Sequence, residues 1–383
     1  MSDFYRPLTP RDAHEPHRAA TPLELFFDLV SVIAIASAAA GLHHAIAEAH
    51  AAQGVLTFVM AFFGIWWAWM NFTWFASAYD NEDGLFRLLT MVIMAGSLTM
   101  AAGIGALFKS FDLTMMVVGY IIMRLGMIAL WVRASLHDPD RRATALTYAI
   151  GIGIVQVYWV AFLLAQPLSA GTTYGLFLLG VVFELAVPVV AERKSETPWH
   201  RHHIIERYGL LTIIVLGETL LSGAMSLEAV ADGVTNVAFI HICLSALVIV
   251  FSMWWLYFSR EEHLETTRLR RALVWGYGHF IVFAAGAAVG AGFAVLIDIV
   301  AGHAHVPLIV GDYAVGIPVA LYMAGLWFVR DRFCLAGTGR HVLLLFAALV
   351  LLAPVTPVAL EAIAALTTLA VIARYHVARA ADC

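Results

Sequence analysis

The chain has 383 residues, of which 62% are hydrophobic and 13% charged, with a net charge of −5 and a mean hydropathy of +0.84. A soluble domain carries about 25% charged residues, so this composition excludes an ordinary soluble globule and gives no basis for a nucleic-acid partner. Windows such as Val55–Met70 and Phe280–Leu296 are apolar on every face, which excludes the period-two strands of an outer-membrane barrel and leaves a polytopic helical membrane protein whose partner is the lipid bilayer.

Residues 1–21 are polar, carry Arg6, Arg11 and Arg18, and read as a cytoplasmic tail without a cleavable signal. Twelve helices are then predicted near 22–46, 54–79, 84–107, 112–135, 143–166, 172–191, 203–226, 236–259, 270–300, 307–330, 340–353 and 358–376. A crossing needs about 20 apolar residues. The eleventh segment falls short, and the Pro354-Val-Thr-Pro357 turn follows it at once. The last pair is therefore either two crossings or a re-entrant hairpin. Placing the N-terminus in the cytoplasm puts 20 of the 22 Lys and Arg residues on the inner side, with Lys109 outside and Arg124 in mid-span. That bias fixes the expected orientation, with both termini inside.

Motifs recur in order. Trp66-Trp67-Ala-Trp69 in the second helix matches Trp254-Trp255-Leu-Tyr257 in the eighth. Each precedes a charged loop, Asp80-Asn-Glu82-Asp83 or Arg260-Glu261-Glu262. Trp131-Val-Arg133 likewise matches Trp327-Phe-Val-Arg330. The expected architecture is an all-α integral membrane protein of two parallel six-helix repeats, 22–192 and 203–377, with a linker at 193–202 and a tail at 378–383. Transporters built from such repeats hold their sites near the midplane.

Embedded ionisable residues are the candidate site. Arg124 lies within the apolar stretch 113–132, where a guanidinium costs roughly 3 to well over 10 kcal/mol unless it faces a partner or water. Glu184 sits at similar depth and Glu218 somewhat nearer the outside. An Arg–carboxylate pair is the expected remedy, serving either as a staple between helices or as part of a transport path. Glu24 and Asp28 share one face at the start of the first helix, where they either cap it or form an embedded pair. Glu206 and Arg207 open the seventh helix in the same way, as interfacial or site residues. His279 is embedded and reads as a packing residue or a relay. Asp298 and Glu361 are further embedded or interfacial groups. Gly286-Ala-Ala-Val-Gly290 reads as close helix packing.

Cys243, Cys334 and Cys383 are too scattered for a disulfide framework or a zinc site. Neither the outer histidines (His43, His44, His50, His303, His305) nor the inner ones (His200, His202, His203) show metal-ligand spacing. Nucleotide-binding, nucleophile-elbow and HExxH motifs are missing from the sequence, so no cofactor or metal is expected.

Two segments carry a family resemblance: Thr21-Pro-Leu-Glu24-Leu-Phe-Phe-Asp28-Leu-Val and Glu206-Arg207-Tyr-Gly209-Leu-Leu-Thr-Ile-Ile-Val-Leu-Gly217-Glu218. With the length and the repeated WW motif, they resemble the bacterial low temperature requirement protein A family over nearly the whole chain. Ser31 is a departure, standing where an aromatic is expected. The resemblance implies an inner-membrane protein connected with growth in the cold, with Glu24, Asp28, Glu206, Arg207 and Glu218 as charged motif residues and no established reaction. The first expectation is a carrier of a small solute, with Glu218 as the proton-coupling carboxylate. The alternatives are a lipid-binding or lipid-modifying protein acting through Glu24 and Asp28, and a structural or sensory protein.

Overall fold

Each apolar run becomes a helix, because a backbone that cannot reach water must satisfy its own N–H and C=O groups. The structure, a computed structural model, describes residues 4–13, 15–16, 18–230, 237–259, 264 and 268–380. The Arg260-Glu261-Glu262 loop and the end of the 378–383 tail lie outside the described residues. In chain order the helices are α1 (Pro22–Ala47), α2 (Ala51–Tyr79), α3 (Gly84–Ser110), α4 (Thr114–His137), α5 (Arg142–Leu164), α6 (Ala170–Ala191), α7 (Arg201–Val230), α8 (Val237–Phe258), α9 (Leu269–Ala301), α10 (Leu308–Leu326), α11 (Arg332–Cys334), α12 (Val342–Leu352) and α13 (Ala359–Ala380). A π-turn at Trp327–Asp331 joins α10 to the single turn α11, making one long segment, Leu308–Cys334. Counted so, twelve long helices are present and no strand occurs among the described residues. Eleven of the twelve are long and apolar enough to cross a bilayer. The other, α7, has 30 residues and carries Glu206, Arg207 and Glu218.

The short eleventh segment is longer than its residue count suggests. Turns of 3-10 helix at Gly337–His341 and Ala353–Val355 bracket α12, giving one helical run, Gly337–Val355, of 19 residues. At about 1.5 Å per α residue and 2.0 Å per 3-10 residue, the run reaches about 32 Å, enough for a ~30 Å hydrocarbon core.

The chain packs as two compact units, Met1–Ala34 with Met60–Arg207, and Ile35–Val59 with Tyr208–Cys383. In the first, α2 is the interior helix: from Met60 to Asp80 only Trp74 is not buried, as expected for a helix apolar on all sides. α3 and α4 approach through small residues. A methyl added at Gly119 would stand 2.6 Å from the Gly96 carbonyl oxygen, so only glycine permits that contact. Outward faces carry Leu88, Met91, Ile150, Ile154 and Val157, a coat that suits acyl chains. The segment before α1, read from sequence as a tail, is tied down. Arg11 N–H donates to the Ala78 carbonyl at 2.9 Å and Leu85 N–H to the Phe4 carbonyl at 3.0 Å, and Leu8 is fully buried.

In the second unit α9 is the interior helix, buried on all faces from Ala285 to Ile297. Gly286 and Gly290 face Val215 and Thr219 of α7, and the Thr219 hydroxyl donates to the Gly286 carbonyl at 3.0 Å. The GxxxG is thus a packing contact. Arg330, carried on the π-turn, donates to the Leu256 and Tyr257 carbonyls at 2.7 and 3.1 Å, satisfying the end of α8. The shared WW motif does not share an environment. Trp66, Trp67 and Trp69 are buried, whereas Trp254 and Trp255 are 46% and 58% exposed.

Candidate functional site

The first unit brings two of the predicted carboxylates, Glu24 and Asp28, together on the guanidinium of a third predicted site residue, Arg207. Thr21-Pro-Leu-Glu24 forms a capping box at the start of α1: Thr21 N–H donates to Glu24 Oε2 at 2.7 Å and Glu24 N–H to Thr21 Oγ1 at 3.3 Å. Proline at the first helical position suits that geometry. One oxygen of Glu24 therefore caps the helix. The other, Oε1, lies 3.0 Å from Arg207 Nη1 and 3.0 Å from His203 Nε2. Both sequence readings of Glu24 hold, one for each oxygen. Glu206, the neighbour of Arg207, accepts from Ala20 N–H at 3.1 Å and so holds the chain entering α1.

Asp28 follows one turn further along α1. Its Oδ1 pairs with Arg207 Nη2 at 2.5 Å and accepts from Trp69 Nε1 at 2.7 Å. Thr73, one turn from Trp69 on α2, lies 3.5 Å from the same Nη2. Glu24, Asp28, His203 and Arg207 are all fully buried. Asp28 Oδ2 has no hydrogen-bond partner. Two carboxylates thus face one guanidinium, with an imidazole beside them. Such a group is balanced only when it holds one proton more than its ionised form carries.

Arg124 pairs with Glu184 of the same unit. Glu184 accepts four hydrogen bonds: from Arg124, from the Tyr120 hydroxyl at 2.7 Å, from Trp67 Nε1 at 2.9 Å and from Trp159 Nε1 at 3.1 Å. Two oxygens with about four acceptor positions are then full. The Arg124 guanidinium also stands 4.9 Å from the centre of the Tyr120 ring. This pair is charge-balanced, and its carboxylate is saturated.

The remaining candidates belong to the second unit. Glu218, on α7, is half-buried. His279 is fully buried, with Nδ1 2.8 Å from the Trp275 carbonyl and Nε2 3.2 Å from the Tyr257 hydroxyl. That pattern fits a neutral imidazole donating through Nδ1. Asp298 meets His43 at 2.6 Å, Glu361 meets His241 at 2.9 Å and His305 meets Glu48 at 3.2 Å. Among the described residues no group of three or more His, Cys, Asp or Glu could hold a metal ion.

Two buried carboxylates lie just beyond the helix ends of the first unit. Burial pushes the Glu192 carboxyl up, yet it accepts from the Tyr148 hydroxyl at 2.8 Å and the Thr197 N–H at 2.8 Å. Asp80, which follows α2, is 2% exposed. Its burial pushes the carboxyl up to about 7, and the charge of Glu24 adds to the rise.

Sequence reasoning missed the aromatic and hydroxyl partners. Trp67 and Trp69 entered the sequence reading only as part of a repeated motif, but their indole N–H groups meet the two embedded carboxylates. His203 carried a usable signal, since it precedes Arg207 by one helical turn and shares its face. Tyr120 does the same for Arg124.

The sequence profile of the bacterial low temperature requirement A protein (LtrA) family matches residues 19–377. An uncharacterized protein of Rhizobium meliloti (strain 1021) is 28% identical over 273 residues, covering 67% of this chain; the match spans 64% of that relative's length. No solved structure matches the chain. Since the family profile covers nearly the whole sequence, including both segments that build the Arg207 cluster, the chain belongs to the bacterial low temperature requirement A family.

Proposed function

We propose that this protein is a carrier of the bacterial cytoplasmic membrane that moves a small solute and uses Glu24, Asp28, His203 and Arg207 as a proton-binding site. The observation that carries the reading is Asp28 Oδ2, fully buried without a hydrogen-bond partner in a cluster of two carboxylates and one guanidinium. A purely structural staple has no use for the second carboxylate; the Arg124–Glu184 pair is built without one. The excess carboxylate gives the cluster two charge states one proton apart, which is what coupling to solute movement requires. The proton role expected at Glu218 falls in this reading to Asp28.

The same reading sets the termini in the cytoplasm, from the Lys and Arg distribution. It keeps two parallel six-helix repeats on the strength of the ordered motifs in the sequence.

The test does not require the solute to be identified in advance. A strain deleted for this gene is complemented with wild type, Asp28→Asn or Glu218→Gln, each checked for membrane abundance, and small-molecule contents are compared at low temperature. Asp28→Asn is expected to reproduce the imbalance of the deletion. A normally inserted Asp28→Asn protein that restores the wild-type profile would overturn the assignment.

A further inference from the structure

Buried polar atoms without hydrogen-bond partners occur at several places in the first unit, among them Arg124 Nε and Nη1 and the Gln156 amide. One set runs from the end of α2 to Asp28: Asp80 Oδ2, Arg18 Nε, His203 Nδ1, Arg207 Nε and Asp28 Oδ2. Buried groups of this kind are normally satisfied by ordered water, and a water needs two to four polar partners. Along α2, Trp69, Thr73 and Asp80 recur on one helical face. Trp69 and Thr73 already touch the Asp28–Arg207 pair.

Asp80 is placed to receive a proton. Its Oδ1 accepts the Glu82 N–H at 2.8 Å, which shapes the turn between α2 and α3. Its Oδ2 serves no such purpose. Arg18 stands between two carboxylates, with Nη2 3.8 Å from Asp80 Oδ2 and Nε 3.7 Å from Glu15 Oε1. Both are ion-pair separations without a direct hydrogen bond. Glu15 is 26% exposed, so this edge reaches the aqueous side. On the inner side, Arg18 lies close enough to His203 to act on it electrostatically.

We propose that Asp80 is the proton-loading residue of the buried cluster, taking a proton from water at the end of α2 and passing it inward past Arg18 to Glu24 and Asp28. The inference rests on reading that cluster as a proton site. In the first step water or hydronium gives up a proton and Oδ2–H forms on Asp80. In the second, that bond breaks, ordered water carries the proton inward, an O–H forms on a cluster carboxylate and Asp80 is again ionised.

The groups acting on Asp80 come from every element around it. They are Arg18 of the N-terminal segment, Glu24 of α1 and Glu82 of the turn; Arg11, whose Nη1 donates to the Asp80 backbone carbonyl at 3.2 Å, and Glu15, paired with Arg11 and Arg18, stand beside them. His200, before α7, has Nε2 2.9 Å from the Glu15 carbonyl. Burial is the largest influence and raises the Asp80 carboxyl, with Glu24 adding to it; the Glu82 N–H and Arg18 offset part of the rise.

The test uses the full chain in lipid nanodiscs and infrared difference spectroscopy of protonated carboxyl groups between about pH 5 and pH 9. Wild type is expected to show a carboxylic acid band titrating near neutrality. Asp80→Asn should remove that band and slow the response of the remaining buried carboxyl, identified with Asp28→Asn, by about tenfold or more after a pH jump. Asp80→Glu, which keeps a titrating oxygen, should restore both, and exposed Asp140→Asn should change neither. Retention of band and rate in folded Asp80→Asn overturns the proposal. So does loss of the band with an unchanged rate, because Asp80 would then titrate without loading the cluster. No readout here requires solute movement. Correct titration with a wild-type solute profile in Asp28→Asn would therefore sink the carrier reading and leave the loading step standing.

Discussion

The first unit holds two buried charge clusters on different faces of one helix. Trp67 and Trp69 are two residues apart on α2, so their side chains leave the helix about 200° apart. Trp67 donates to Glu184, and Trp69 to Asp28. At Glu184 one guanidinium meets one carboxylate, and three neutral donors fill the rest of its two oxygens. At Asp28 one guanidinium meets two carboxylates, and one oxygen is left without a hydrogen-bond partner. The same residue types thus give a fixed brace on one face and a group with two charge states on the other. What separates them is stoichiometry and the saturation of the carboxylate.

The largest expected effect falls on the brace. Glu184→Gln leaves Arg124 buried without its counter-charge, and breaking a buried pair from one side costs about 3–5 kcal/mol. A matching fall in thermal unfolding temperature and in folded yield is expected. Part of it should return in the double variant Arg124→Gln/Glu184→Gln, because that variant leaves no lone charge. Equal losses in the single and double variants would mean that the pair is not balanced as described.

An effect of similar order is pH-dependent and belongs to the other cluster's aqueous edge. The Asp80 carboxyl stands at about 7 in the folded chain against 3.8 as its ordinary value. Between those values the folded state holds a proton that the unfolded chain has released, so stability falls as pH rises through that window. By about pH 9 the penalty is of the order of 4 kcal/mol. Asp80→Asn keeps the Oδ1 acceptor for Glu82 and cannot ionise. Its unfolding midpoint should exceed that of wild type at alkaline pH and converge with it near pH 4. Parallel pH curves for the two proteins would remove Asp80 from the account.

Smaller effects separate the tryptophans. Trp67→Phe removes one hydrogen bond to a charged carboxylate, worth about 1.5–3 kcal/mol. Trp69→Phe removes a bond to the cluster that already carries excess negative charge, and its loss should favour the protonated state. A proton-sensitive infrared band shifted to higher pH in Trp69→Phe and unmoved in Trp67→Phe is the expected signature.

Much of this was legible in the sequence. The apolar runs gave the helices, and depth offered Glu184 and Glu218 as partners of Arg124, of which the structure pairs Glu184. The spacing of Glu24 and Asp28 put both on one face, and the family resemblance singled out Arg207. The limits are equally specific. The 3-10 turns around α12 lengthen a segment that counting in α-helical residues makes too short. The indole partners of Glu184 and Asp28 read in sequence only as one copy of a repeated motif, because a buried and an exposed tryptophan are spelled alike; Trp254 and Trp255 show the exposed case. The fixed segment before α1 was hidden because polar residues read as solvated, while its order comes from backbone hydrogen bonds to Ala78 and Leu85. Asp80 reads as a loop residue, and only packing reveals that it is buried.

The central claim is that the Asp28 cluster carries one carboxylate more than its guanidinium balances, and that the Glu184 cluster does not. It is tested most directly by comparing the unfolding transitions of Asp28→Asn and Glu184→Gln in the same lipid at neutral pH. Asp28→Asn leaves Arg207 paired with Glu24 and keeps an oxygen for Trp69, so it should unfold within about 1 kcal/mol of wild type or above it, while Glu184→Gln falls far below. If Asp28→Asn is destabilised as strongly as Glu184→Gln, the two clusters are equivalent braces and the excess charge has no place in the mechanism.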